Sequence, residues 1–432
     1  MIRIIECINP AEAPALLGRD EEAQQNVDQV VAGILADVKK RGDEALREYT
    51  LRFDGADISR FELPPESMPA ALRRIDAAFL EVLETAAKNI SLYHSAQVRG
   101  GYMLDPRPGV VMGQRVTPLE RVGVYVPGGT ARYPSTVLMN VVPAKLAGVC
   151  EVIVFTPPDK NGGVPDDILA AAAVAGADRV FLLGGAQAVA AMSCGTESVP
   201  KVDKITGPGN IYVATAKRMV YGIVDIDMIA GPSEVLIIAD DSASPAFIAA
   251  DMLSQAEHDV LSAAILATPS KTLAQKVGDE LEKQIKTLSR KEIAGRAIER
   301  NSAIFLVKSI SDAVAVSNAI APEHLELCVD EPFALLPLVK HAGSVFLGHH
   351  TFEALGDYLA GPNHTLPTGG TARFSSPLGV DDFVKKTAFL YYDKNAVADA
   401  AKQVALFARR EGLDAHARAA DIRICVHSDK NV

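Results

Sequence analysis

The chain has 432 residues, 48 % of them hydrophobic and 22 % charged, with a formal net charge of −11. It is too long for one ordinary core and too apolar for disorder, so two or three globular domains are expected. The acidic balance argues against a nucleic-acid groove and against docking on anionic lipid.

Residues 1–20 read as a short arm, because Pro10 and Pro14 limit regular structure. Residues 21–54 carry Val27, Val30, Val31, Ile34 and Leu35 as one apolar stripe at helical spacing. A second helical stretch covers 70–97, and Asp105-Pro-Arg-Pro-Gly109 breaks the pattern. Strand, turn and helix then alternate. Strand-like runs at 122–126, 152–155 and 180–183 alternate with helical stretches at 135–148, 166–175 and 186–192. Lys204-Ile-Thr-Gly-Pro-Gly-Asn210 opens another helix to about 221. The same grammar resumes with strands at 234–239, 263–267, 303–307, 325–329 and 344–347, and the tail from 379 is mainly helical. This predicts an α/β protein: two Rossmann-like parallel-sheet domains, an N-terminal arm and a small helical C-terminal tail domain. The expected boundaries are 1–20 for the arm, 21–124 plus 235–378 for the first domain, 125–234 for an inserted second domain, and 379–432 for the tail.

The five cysteines, Cys7, Cys150, Cys194, Cys328 and Cys425, are odd in number and form no Cys-x-x-Cys pair. That favours a reducing compartment without a disulfide framework. The start, Met1-Ile-Arg-Ile-Ile-Glu-Cys7, lacks the apolar core of a signal peptide, and no apolar run approaches the ~18 residues of a membrane span. A cytoplasmic location is expected.

Four glycine-rich turns, Pro127-Gly-Gly129, Gly184-Gly185, Gly207-Pro-Gly-Asn210 and Gly231-Pro-Ser233, all read as following strands. Ligands in open α/β sheets bind beyond the carboxyl ends of strands, and glycine lets backbone N–H groups approach phosphate. No Gly-x-Gly-x-x-Gly fingerprint is present, and each turn taken singly reads equally as an ordinary connection. Gln255 and His258 are three apart on one helix face; Asp357 and His364 share a loop-like segment; His416 follows a helix in the tail. Imidazole, carboxylate and amide oxygen suit zinc, but spacing alone does not select these positions from nine histidines. Glu323-His324 is an acid–base pair if a turn brings both into one cavity, and otherwise a solvated pair at a helix end. Cys150 and Cys194 have no histidine near in sequence and read as buried small hydrophobes rather than nucleophiles.

Together the segments resemble the histidinol dehydrogenase family, from about 121 to 416 and more weakly before that. The resemblance lies in Arg121-Val-Gly-Val-Tyr-Val-Pro-Gly-Gly129, Gly184-Gly-Ala-Gln-Ala188, Gly195-Thr-Glu-Ser-Val-Pro-Lys-Val-Asp-Lys-Ile205 and Gly207-Pro-Gly-Asn210. It continues through Ala230-Gly-Pro-Ser-Glu-Val-Leu236, Leu253-Ser-Gln-Ala-Glu-His258, Pro322-Glu-His-Leu325, Gly356-Asp-Tyr358 and Asn363-His364. The resemblance implies one zinc per subunit on Gln255, His258, Asp357 and His416, with proton chemistry at Glu323 and His324. It implies NAD contacts at Tyr125, Gln187 and Asn210, all in the inserted domain. Substrate contacts are implied at Ser233, His364 and Glu411, besides Gln255, His258, His324, Asp357 and His416.

The implied reaction takes L-histidinol through an aldehyde to L-histidine, reducing two NAD, in histidine biosynthesis. Zinc would act as a template for substrate nitrogens, His324 as the base for both oxidations, and Glu323 as the activator of the hydrating water. An intertwined homodimer is also implied, in which the tail, with Glu411 and His416, reaches the other subunit's site. Neither a nucleic acid nor a membrane is an expected partner. Three rivals stand beside this reading: a zinc and NAD dehydrogenase of another small amino or sulfo alcohol; a zinc hydrolase in which Glu323 or Glu257 activates water; and a non-catalytic nucleotide-binding module.

Overall fold

The computed structural model describes residues 2–17, 24–128, 132–229 and 231–425. Its strands are β1 (Arg3–Glu6), β2 (Tyr102–Arg107), β3 (Val110–Pro118), β4 (Arg121–Tyr125), β5 (Glu151–Thr156), β6 (Arg179–Leu182) and β7 (Lys204–Thr206). They continue as β8 (Asp225–Ile226), β9 (Glu234–Ala239), β10 (Ala263–Thr268), β11 (Ala303–Leu306), β12 (His324–Cys328), β13 (Ser344–Leu347) and β14 (Val384–Tyr392). Runs such as Glu-Val-Leu-Ile-Ile-Ala in β9 are buried along their whole length, as parallel strands covered by helices on both faces must be.

One parallel sheet runs β1-β11-β10-β9-β12-β13, and another β6-β5-β4-β7-β8. In each, the chain moves outward on one side of a central strand and then returns to the other side. Those reversals, at β9/β12 and β4/β7, are the switch points where open α/β sheets form crevices. Both sheets lie in one compact unit, 1–97 with 119–383. The second unit is 98–118 with the chain from Val384. It contains the antiparallel sheet β14-β3-β2 and the helices Lys394–Arg410 and Asp414–Cys425, which pack through Ala401, Ala405, Ala408, Ala417 and Ala420.

The two parallel sheets, their strands and the helical tail match the sequence reading. Four points differ. The predicted arm carries β1, an edge strand paired with β11 about three hundred residues away, in the register Arg3↔Ala303. A four-residue strand is too short to announce itself by alternation, and only its distant ladder defines it. Of the stretch 21–54, residues 21–23 lie outside the described residues, and the rest is two helices, Gln24–Arg41 and Asp43–Asp54, divided at Gly42 with φ 55°. The tail opens with nine residues of strand in β14 before its helices. Gly231-Pro-Ser233 lies in the connection from β8 and enters β9 at the first sheet's amino edge, not at a carboxyl end.

The N-terminal helices cover the second sheet. Val31, Ile34 and Leu46 share a core with Ile153 and Phe181, while Leu83 and Ile90 of the helix Ala77–Ser95 pack with Val122 and Val154. We propose domain boundaries that follow this packing: 24–97 with 119–229 around the second sheet, and 2–17 with 231–383 around the first. Among the described residues no helix is long and apolar enough to cross a membrane.

Candidate active site

The helix Ile310–Ile320 ends at Ala321, whose φ of 55° is the one positive value outside glycine among the described residues. An L-residue there is strained, and a following proline restricts it further. Such strain clusters where geometry matters. The turn delivers Glu323 and His324 to the amino end of β12, buried and beside β9. Glu323 Oε2 accepts the Glu234 N–H at 2.9 Å, and His324 Nδ1 lies 3.1 Å from the Glu234 carbonyl, to which it donates. A side chain on Gly343 would meet the Glu323 carbonyl at 2.5 Å, so the entry to β13 must be glycine.

With Nδ1–H committed to that carbonyl, Nε2 is the nitrogen of His324 that is left to exchange a proton. That atom is sealed from solvent, has no hydrogen-bond partner, and lies 3.6 Å from Asp357 Oδ1. Asp357 stands in a π turn, Gly356–Ala360, a wide helical turn that recurs at functional sites. The helix Pro245–Ala256 returns to the same edge and places Gln255 and His258 at its end. Gln255 is fully buried, yet neither end of its amide has a partner. An unsatisfied buried amide costs roughly 1–3 kcal/mol, which points to a ligand. His258, Glu353 and Asp357 bring ligand atoms within 4.8 Å of one another. This mixed nitrogen and oxygen set fits zinc, and Gln255, three residues before His258, carries an unpartnered amide oxygen of the kind zinc also accepts.

Glu353 was not anticipated, although its i, i+4 spacing from Asp357 is readable. It leads into a buried chain of carboxyls. The Glu353 hydroxyl partner is Ser254 at 3.2 Å, its N–H donates to Glu326 Oε1 at 2.9 Å, and Glu326 lies close enough to Asp251 for the two charges to act on each other. Burial pushes Glu353 up to about 7, Asp251 up to about 6, and Glu326 well above the ordinary range. Burial likewise pushes Glu323 up to about 8, against the pull of His324. For His324, burial opposes the charged ring, but Glu323, Asp357 and Glu353 outweigh it and hold the imidazole up to about 10. Burial opposes ionisation of Asp357, and His324, His364 and His258 overcome it, keeping the carboxylate low.

A cavity of about 100 Å³ opens onto this cluster, lined by His324, Asp357 and His364 among apolar side chains such as Phe346 and Leu366. His364 donates from Nδ1 to the Asp357 carbonyl at 3.1 Å. Its loop is fastened to the helix Pro134–Ala147, with Asn363 Nδ2 donating to the Met139 carbonyl at 2.6 Å. Ser233 is half-buried directly before β9, next to Glu234.

The other expected residues collect at the carboxyl edge of the second sheet. Tyr125 ends β4, and its buried hydroxyl accepts the Gly185 N–H at 3.0 Å. Gln187 follows in the helix Gly185–Cys194, buried and with both amide atoms unpartnered, the same signature as Gln255. Asn210 caps the helix Ile211–Val220, its Oδ1 accepting from Tyr212 and Val213 N–H, which leaves its amide N–H₂ outward. The preceding turn is fixed by a buried ion pair. Asp227 accepts the Gly207 N–H at 2.7 Å, and Lys217 donates to the Gly207 carbonyl at 2.9 Å while contacting Asp227. Gly207 has φ 105° and lies against the Tyr125 carbonyl, where any side chain would collide.

Glu411 and His416 belong to the second unit, both exposed, at the end of one tail helix and in the next. The first unit therefore supplies three of the four expected metal ligands, plus Glu353. Cys150 is exposed, so its reading as a buried hydrophobe is corrected: it follows the end of a helix at the surface. Cys194 is half-buried, its thiol pushed up by burial. Neither lines the cavity.

The sequence profile of the histidinol dehydrogenase family matches residues 17–424, which includes the N-terminal helices as well as the motif-rich region. A Bacillus cereus histidinol dehydrogenase is 55 % identical over 404 residues, 94 % of this chain and 93 % of that protein. One from Syntrophotalea carbinolica is 53 % identical over 412 residues, 95 % of each. The crystal structure of histidinol dehydrogenase from Elizabethkingia anophelis superposes with a TM-score of 0.93 at 37 % identity, covering 99 % of both chains. The chain belongs to the histidinol dehydrogenase family, NAD-dependent oxidoreductases that convert histidinol to histidine.

Proposed function

We propose that this chain oxidises L-histidinol through L-histidinal to L-histidine, with zinc held by Gln255, His258, Asp357 and His416. The observation that carries the reading is the sealed, unpartnered Nε2 of His324 beside Asp357, with Nδ1–H fixed on a backbone carbonyl. When bound, zinc supplies a positively charged template for substrate nitrogens, and NAD supplies the hydride acceptor. His324 Nε2 takes the hydroxyl proton of the alcohol. After releasing that proton to solvent, it takes a second from the hydroxyl of the hydrated aldehyde, which presents an alcohol-like carbon to the same base. Glu323 accepts the proton of the hydrating water. His364, Ser233 and Glu411 orient the substrate, and Tyr125, Gln187 and Asn210 the nucleotide. No thiol takes part.

Single-turnover runs with L-histidinol and excess NAD test this. In Glu323→Gln the first NADH phase should stay fast and the second should slow, with similar amplitudes; equal slowing of both phases would refute the division of labour. Glu323 must be ionised to act, and burial holds it up to about 8. The second phase should therefore rise with pH to about 8 and flatten above it. Comparable rates on other small amino or sulfo alcohols would move the substrate assignment to that neighbouring class.

The same reading makes the enzyme a cytoplasmic homodimer in which Glu411 and His416 reach across to the other subunit. The described cysteines, Cys7, Cys150, Cys194 and Cys328, are all unpaired, in keeping with a reducing compartment. Mixed His416→Ala and His258→Ala chains should then regain about a quarter of wild-type activity, because half of random pairs carry one intact composite site. No recovery despite proven subunit exchange would place each site within one chain.

A further inference from the structure

The second sheet has the order β6-β5-β4-β7-β8. Numbered from its first strand, that is 3-2-1-4-5, the order of a dinucleotide-binding sheet. In such sheets an acidic side chain at the carboxyl end of the second strand receives the ribose hydroxyls of the adenosine half. Here the second strand, β5, ends in Thr156-Pro157-Pro158, which offers no carboxylate. Asp159 follows, but its Oδ1 is occupied by the N–H groups of Asn161 and Gly163 within its own turn.

A carboxylate does reach this edge from elsewhere. Asp54 is the last residue of the helix Asp43–Asp54, and the adjoining Gly55 lies beside the Lys160 stem in the loop that leaves β5. The same helix packs through Ala45 and Leu46 into the core shared with Tyr125 and Ala186. Asp54 also lies close enough to Tyr125 for its charge to act on that phenol.

Three features make Asp54 costly in the protein alone. One of its oxygens is sealed from solvent without a hydrogen-bond partner. It sits at the negative end of a helix, where an anion is disfavoured. Burial raises its carboxyl to about 6. A pair of hydroxyl donors would satisfy that oxygen and stabilise the ionised carboxylate against the other two penalties.

We propose that the Asp54 carboxylate accepts the vicinal hydroxyls of the adenosine-side ribose of NAD and, by charge, rejects the 2′-phosphate of NADP. The assignment rests on the cofactor site described under Proposed function. A helix end thus supplies the acid that β5 lacks. Asp54 sets which nucleotide enters, and takes no part in the proton chemistry.

The test is titration of zinc-loaded wild type, Asp54→Asn and Asp54→Ser with NAD, NADP, ADP-ribose and 2′-phospho-ADP-ribose, followed by kcat/KM with L-histidinol and each nucleotide. Asp54→Ser should weaken NAD and ADP-ribose by about tenfold or more, the loss of hydrogen bonds to a charged acceptor. It should strengthen NADP and 2′-phospho-ADP-ribose, so that the NAD-to-NADP ratio falls by at least that factor. Asp54→Asn, which keeps the shape, should shift the ratio in the same direction. Zinc content and cooperative melting as in wild type would confirm that the variants are folded. An unchanged ratio in folded variants, with normal NAD binding by wild type, overturns the proposal alone. Wild-type protein that binds none of the four nucleotides overturns the cofactor reading and the proposal with it. In a parallel titration with ADP and NMN, a loss of affinity for NMN but not for ADP would put the carboxylate on the nicotinamide-side ribose and also overturn it.

Discussion

The two parallel sheets are built by the same rules and gather their candidate site residues at opposite edges. The second sheet gathers Tyr125, Gln187 and Asn210 beyond its carboxyl ends, at the β4/β7 reversal, as the general rule for open α/β sheets states. The first sheet gathers Ser233, Glu323 and His324 at its amino ends, together with the end of the helix Pro245–Ala256. The difference follows from what each edge offers. Carboxyl ends open onto helix N-termini, whose N–H groups suit an anionic nucleotide. Amino ends receive helix C-termini and carbonyls, which suit cations and fix a histidine by its Nδ1–H. One chain thus presents an anion-friendly and a cation-friendly edge from two copies of one architecture.

The comparison breaks first if the metal set is wrong. His258→Ala or Asp357→Ala should lose zinc in elemental analysis and bring activity to background, while NAD binding at the other edge persists. Full zinc in both variants, or NAD binding lost with the metal, would dissolve the division between edges. Next in size, His324→Asn should slow both oxidations by on the order of 10² to 10⁴, the range for removal of a general base, with little change in NAD affinity. An untouched first NADH phase would exclude His324 as the base.

On the nucleotide edge, Lys217→Met keeps most of the buried stem but releases the Gly207 carbonyl and leaves Asp227 without its cation. KM for NAD should rise by about tenfold, equivalent to ~1.4 kcal/mol, with zinc content unchanged, and Lys217→Arg should recover part of the loss. Equal loss of kcat and of thermal stability, without a change in KM, would reduce the pair to a purely structural one.

The smallest effect concerns the carboxyl chain behind the catalytic edge. Asp251 and Glu326 are pushed up by burial, so the folded protein holds protons that the unfolded chain releases. Stability from these groups is full below the unfolded carboxyl value of about 4 and falls as pH rises through about 6. Glu326→Gln mimics the protonated form, and its melting temperature should fall less between pH 5 and 7, by the equivalent of roughly 1 kcal/mol. Parallel melting curves for wild type and variant would show that the chain carries no such pH dependence.

What the sequence determined is what short range controls. Continuous apolar runs such as Glu234–Ala239 made buried parallel strands, and regular alternation with helices implied two sheets. The motif-rich segments also contain Gln255, His258, Glu323, His324 and Asp357, which only the resemblance to the family singled out, since residue type and spacing alone did not. Tertiary structure decided what depends on distant partners. The strand β1 exists only through its pairing with β11, and the N-terminal helices chose the second sheet because their apolar stripes match its faces. Sequence spacing also could not show that Gln255 and Gln187 are buried without partners, that Glu353 joins His258 and Asp357, or that the helix ending at Asp54 meets the loop that leaves β5. Those facts are juxtapositions across hundreds of residues, and only the packing of two sheets and their helices brings such groups within reach of one another.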